Sequence, residues 1–153
     1  MTKEFEKFIK SEFGLEIWSK NKVIFRSKKE SISGLLEFIT ELSHSESEGK
    51  EENGVLFAKK SKRFPKDLII FDKKVGNAAA LLCVFLGAKE VYGVVGSKSA
   101  EKTFKKFKIK FYFLKTIPNI LNKDETDICP MEKISLKKTP KIFLDLLKTK
   151  GIC

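Results

Sequence analysis

Apolar residues recur at helical spacing from the start of the chain. Phe5, Phe8 and Ile9 share one face of residues 2–12, which predicts a short amphipathic helix ended by Gly14. Leu15 and Ile17, then Val23 and Phe25, alternate on either side of the polar stretch SKNK, the pattern of an antiparallel hairpin. Ser31 or Ser33 is placed to cap a helix through GLLEFITEL, with Leu35, Leu36, Phe38, Ile39 and Leu42 as its apolar face. The periodicity then lapses. Residues 43–53 are polar and acidic, which predicts a mobile loop, and residues 59–66 are basic. The GVLFA between them suits a small extra strand. Residues 43–66 are therefore expected to form a surface insertion in a single domain spanning 1–153, its opposite charge blocks attracting each other.

From residue 67 the pattern changes. DLIIFD is a continuous apolar run, as expected of a central strand covered on both faces. NAAALLCVFLG follows, apolar all round and closed by Gly87, so this helix must be buried on several sides. EVYGVVG and IKFYFLK read as strands, and SKSAEKTFKKF between them as an amphipathic helix with Ala100, Phe104 and Phe107 on one side. Residues 117–122 suggest one helical turn. Pro130 and Pro140 suit the first positions of two further helices. The alternation implies parallel strands and right-handed crossovers, hence an α/β fold: a three-layer α/β/α sandwich on a five-stranded mixed sheet. Ligands of open α/β sheets bind at the carboxyl ends of the strands, here Asp72–Gly76 and Gly96–Ser99.

Composition narrows this picture little. The 153 residues are 42% hydrophobic and 33% charged, with no apolar run long enough for a membrane span and no apolar leader at the start. The expectation is a cytoplasmic protein without a membrane partner. Three cysteines, Cys83, Cys129 and Cys153, show no metal-pair spacing and are odd in number, which points to reduced thiols. The formal charge of +11 admits nucleic acid as a partner, but the excess comes almost wholly from lysine, with no bidentate arginine cluster, and nucleic acid is the weaker expectation.

Candidate chemistry gathers at the first strand end. In Asp72-Lys73-Lys74-Val75-Gly76, lysine stands where a helix dipole favours negative charge, which calls for a pairing with Asp72 or a bound anion. Gly76 permits close approach, and the N–H groups of residues 76–78, Asn77 included, suit a phosphate or carboxylate. The plainer reading is a solvated turn. GVVGSKS at 93–99 is no P-loop, because two residues separate its glycines and Ser97 precedes Lys98; Ser97 or Ser99 reads as an N-cap. Cys129 precedes Pro130 and so sits near a helix start, where a thiol gains nucleophilicity, although Asp124, Glu125 and Asp127 oppose this. Glu132 is placed as an N3 cap acceptor rather than a catalytic base. Cys83 reads as core, and His44, the only histidine, falls in the acidic stretch far from any site-like element.

DKKVGNAAALL followed by TDICPME resembles domain of unknown function 1893, from about Leu15 to the end of the chain apart from 43–66. The matching residues are Asp72, Lys73, Val75, Gly76, Ala78, Ala79, Cys129, Pro130, Met131 and Glu132. The family often has lysine after the glycine, where this chain has Asn77; if that lysine binds an anion, the role here is weaker or has moved to Lys74. The resemblance implies a cytidine-deaminase-like fold. Zinc deaminases place His-x-Glu and Pro-Cys-x-x-Cys at two helix starts that here read DKKVG and GSKSA. The implied reading is a zinc-free domain with no cofactor, binding a small anionic or nucleotide-like ligand. Lys73 and the 76–78 amides would contact it, with Asp72 orienting Lys73. If the last loop folds over that cavity, Asp72, Lys73 and Cys129 converge, and the alternative is a thiol enzyme using Cys129 for sulfur or acyl transfer.

Overall fold

A computed structural model of the chain describes residues 2–29, 31–48 and 64–150. Its elements run α1 (Lys3–Lys10), β1 (Leu15–Ser19), β2 (Lys22–Ser27), α2 (Ser31–Glu48), β3 (Ile69–Val75), α3 (Asn77–Phe85), β4 (Glu90–Ser97), α4 (Lys98–Lys106), β5 (Lys110–Ile117), α5 (Pro130–Ser135) and α6 (Pro140–Thr149). The sheet has five strands in the order β2-β1-β3-β4-β5. β1 is antiparallel to both its neighbours, whereas β3, β4 and β5 are parallel. This is the three-layer α/β architecture on a mixed sheet that the alternating pattern predicts.

The hairpin turns on Lys20 and Asn21, both left-handed with φ of 49° and 64°. Two such residues give the turn whose twist matches the flanking strands. Ile17 pairs with Phe25 and Trp18 with Val23, so Ile24 has no residue opposite it and is exposed, a bulge that bends β2.

The two parallel crossovers step in the same direction across the sheet, and α3 and α4 pack against each other on one face of it. α3 is buried from Asn77 to Cys83, packed among α2, α4, α5 and α6. A helix without a polar face needs this enclosure. Gly87, at φ +73°, ends it in the left-handed conformation that glycine adopts without strain. The other face carries α1, whose Phe5 and Phe8 pack on Phe71 beside Trp18 and Tyr92. Gly96 leaves room for the Phe113 ring against the β4 backbone, where a Cβ would overlap the ring.

Several expectations change. α1 stops at Ser11, whose amide and hydroxyl both donate to the Phe8 carbonyl, ahead of Gly14. α2 continues through residues 43–48, where polar composition suggested a loop; Ser43 and His44 are exposed, and the Ser43 hydroxyl donates back to the Ile39 carbonyl. GVLFA lies outside the described residues, as does most of the basic run. Residues 117–122 make no helical turn. Instead Leu121 bridges Ile128, and the Cys129 amide donates to the Ile120 carbonyl, folding the segment back on itself. Phe107 caps the end of α4 and is exposed, its ring under the Lys106 ammonium.

Candidate functional site

Alternation along β3 sends Asp72 and Lys73 to opposite faces of the sheet. Asp72 is buried, and its Oδ1 accepts from the amides of Ser31 and Lys74, both at 3.0 Å. Ser31 opens α2, so Asp72 places a carboxylate at that helix start from 41 residues away, a role expected of a local serine. Lys73 points to the α1 side. Its Nζ donates to the carbonyls of Ile9 at 2.6 Å and Ser11 at 3.2 Å, and lies 5.0 Å from the centre of the Phe8 ring. These carbonyls end α1, where the dipole favours a cation. The lysine that looked misplaced at the start of α3 thus serves the end of a different helix.

The start of α3 carries a carboxylate from elsewhere. Glu132, 2% exposed, reaches from the first turn of α5, and its Oε1 accepts from the Asn77 amide at 3.0 Å and the Ser97 hydroxyl at 3.1 Å. The Ser99 hydroxyl also donates to it, and the Ile120 amide approaches Oε2 at 3.4 Å. Ser97 is in addition the N-cap of α4, accepting from the Ala100 amide at 3.1 Å. One carboxylate therefore lies at two adjacent helix starts, at the carboxyl ends of β3 and β4. Gly76 makes this possible by lacking a side chain: a Cβ would overlap Glu132 Oε2 and come within 2.9 Å of the Ile120 side chain. Its backbone is ordinary extended chain, so the requirement is space.

Asn77 ties the neighbouring helices together. Its Nδ2 donates to the carbonyl and hydroxyl oxygens of Ser135, each at 3.0 Å, and its Oδ1 accepts from the Thr103 hydroxyl. Residues of α3, α4 and α5 thus meet in one polar cluster inside an otherwise apolar layer. The structure brings together Gly76, Asn77 and Glu132 of the predicted site residues. It adds Ser97, Ser99, Thr103 and Ser135, which the sequence marked at most as capping residues; the clue was the Ser-x-Ser directly after a strand ending in glycine. Glu132 leaves its expected local cap unmade and bonds across the fold instead.

Cys129 is half-buried at the N-cap of α5, with no capping bond from its side chain. α5 packs against α3, on the face of the sheet opposite α1, and so opposite the carbonyls that hold the Lys73 ammonium. The convergence of Asp72, Lys73 and Cys129 does not take place. Cys83 is fully buried in α3, and burial, followed by the charge of Asp72, holds its thiol well above the ordinary value. His44 is exposed on α2. Among the described residues, no group of three or more His, Cys, Asp or Glu is arranged to hold a metal ion, and no helix is long and apolar enough to cross a membrane.

The model of a protein family, TM1506: domain of unknown function (DUF1893), matches residues 44–149. Among solved structures, a DUF1893 family protein (TM1506) from Thermotoga maritima superposes with a TM-score of 0.71 at 23% sequence identity, covering 98% of this chain and 92% of that one. At that identity the likeness is one of fold, and it takes in α1 and the hairpin, which precede the family match. No curated protein matches.

Proposed function

The chain belongs to the DUF1893 family, and from that premise we propose that it is a zinc-free, deaminase-like domain that binds a small anionic or nucleotide-like ligand where β3 and β4 run into α3 and α4, in competition with its own Glu132. The observation that carries this is the Asn77 amide held at 3.0 Å by the Glu132 carboxylate, which also receives Ser97 and Ser99. An oxyanion fits here because two helix starts and two hydroxyls point at one spot. Glu132 stands in for the ligand's carboxylate or phosphate, and displacing it opens the site. Asp72 and Lys73 act by position, fixing the end of β3 from its two faces.

The strand order, with β1 antiparallel beside three parallel strands, suits the deaminase-like reading. The residues do not suit its metal. Zinc in that family needs nitrogen and sulfur ligands at the two helix starts, and the side chains gathered there are Asn77, Ser97, Ser99 and Glu132. Hydrolytic deamination through a metal-bound water is therefore not part of this proposal.

Thermal melts of wild type and Glu132→Ala with sodium acetate, phosphate and adenosine monophosphate test it. The variant is expected to gain stability from an anion saturably and more than wild type does. A ligand near 100 Kd adds about 2.7 kcal/mol, roughly 5–10 °C for a chain of this size. Equal shifts in both proteins would overturn the reading. Should the alanine variant not fold, Glu132→Gln carries the same comparison.

A further inference from the structure

A cavity of about 200 Å3 lies away from this junction. Ile69 and Glu90, the first residues of β3 and β4, line it, so it sits at the amino ends of the parallel strands, on the α1 face. Three aromatic residues are among those that line it. Phe71 and Tyr92 are register partners with centroids 5.4 Å apart and planes at 86°, and Trp18 stands 5.9 Å from Phe71 at 45°. The Trp18 ring is held in place by its Nε1, which donates to the buried Glu16 carboxylate at 3.0 Å. Phe71 is buried among the other rings, so the half-buried Trp18 and Tyr92 are the aromatic groups within reach of an occupant, and such rings attract a cation.

Charge points the same way. Glu4, in the first turn of α1, and Glu90 line the cavity, against the single ammonium of Lys20. The Tyr92 hydroxyl donates to Glu90 Oε2 at 3.0 Å. Burial, and then the Glu90 carboxylate, hold the Tyr92 phenol above its ordinary value of 10, so it remains a neutral donor. A net negative lining runs against the chain's formal charge of +11. Phosphates and nucleic acid, which the overall charge favours, are repelled here. The start of α1 contributes a positive dipole end that works against a cation, and Glu4 offsets it.

We propose that this cavity binds a small organic ammonium ion, of the size of tetramethylammonium or choline. The Trp18 and Tyr92 rings shield the methyl groups from water, while Glu90 and Glu4 balance the charge. The volume is below the roughly 300–1,000 Å3 of sites for drug-sized ligands, which limits the occupant to a headgroup. This site is independent of the Glu132 junction, so each proposal can fail without the other.

Trp18 is the only tryptophan of the chain, so its fluorescence reports on the cavity directly. Choline chloride and tetramethylammonium chloride are titrated at constant ionic strength, beside 3,3-dimethyl-1-butanol, the neutral isostere of choline. The expected result is a saturable change in Trp18 emission, with the ammonium ions binding about tenfold more tightly than the isostere. Glu90→Gln, which keeps an acceptor for Tyr92, is expected to weaken choline several-fold and leave the isostere unchanged. Lys20→Ala is expected to tighten choline. Equal binding of choline and its isostere, unchanged binding in both Glu90→Gln and the exposed-site variant Glu4→Gln, or no saturation would each overturn the proposal.

Discussion

Replacing Glu132 with alanine removes the acceptor shared by the Asn77 amide, the Ser97 hydroxyl and the Ser99 hydroxyl. Asn77 and Ser97 are buried, but the Ser97 hydroxyl lies 2.9 Å from Ser99 Oγ and can donate there, while half-buried Ser99 can turn to solvent, so the Asn77 amide is the donor left out of reach of bulk water. A buried donor left without a partner costs about 1–3 kcal/mol. That one donor, with the loss of a carboxylate at two helix starts at about 0.3–1 kcal/mol each, places the alanine variant about 2–5 kcal/mol below wild type. That is a large part of the roughly 5–15 kcal/mol by which a domain is stable. Glutamine keeps one acceptor oxygen but loses the charge and turns an NH2 toward a partner of the other oxygen, so it is expected to cost about 1–3 kcal/mol. Urea unfolding followed by circular dichroism measures both. With a slope near 2 kcal/mol/M, a loss of about 4 kcal/mol lowers the midpoint by about 2 M. An alanine variant within about 1 kcal/mol of wild type, or a glutamine variant less stable than alanine, would refute the account of Glu132 as the acceptor that closes this junction.

Lys73→Met keeps the apolar stem and removes the two bonds to the end of α1; it is expected to cost about 1–3 kcal/mol and to speed amide hydrogen exchange in residues 8–11 before the rest of the chain. Gly96→Ala drives a Cβ into the Phe113 ring beside the β4 backbone, and a loss of about 1–3 kcal/mol, read as a lower melting temperature, is the expected outcome. A melt unchanged from wild type would show that the ring is free to move away. Asp127 accepts from the Lys133 ammonium and the Ile128 amide, which hold its carboxyl below the ordinary 3.8. Its contribution is therefore present above that value and lost as pH falls through the lowered one. A carboxyl titration by NMR should find the midpoint below 3.8 in wild type and closer to it in Lys133→Ala.

Local pattern was enough for most of the architecture. The helix from Asn77 had no polar face and proved enclosed on several sides; the apolar run before it became the central strand; and Ser97, Gly87 and Pro130 ended or began helices as their types require. Such features depend on residues a few positions apart, whose energies a sequence displays directly. Polar composition misled at residues 43–48, because a polar helical turn and a polar loop can have the same composition.

The site obeyed different physics. The sequence alone determined that charged and capping residues gather at the carboxyl ends of two parallel strands, and that glycine stands at the closest approach. It did not determine their partners. Asp72 serves a helix 41 residues earlier, Lys73 one 64 residues earlier, and Glu132 bonds donors 55 and 35 residues away. A carboxylate will accept from any helix start brought within 3 Å, and an ammonium will donate to any helix end. Only the docking of α1 and α2 onto the sheet, and of α5 onto α3, decided which.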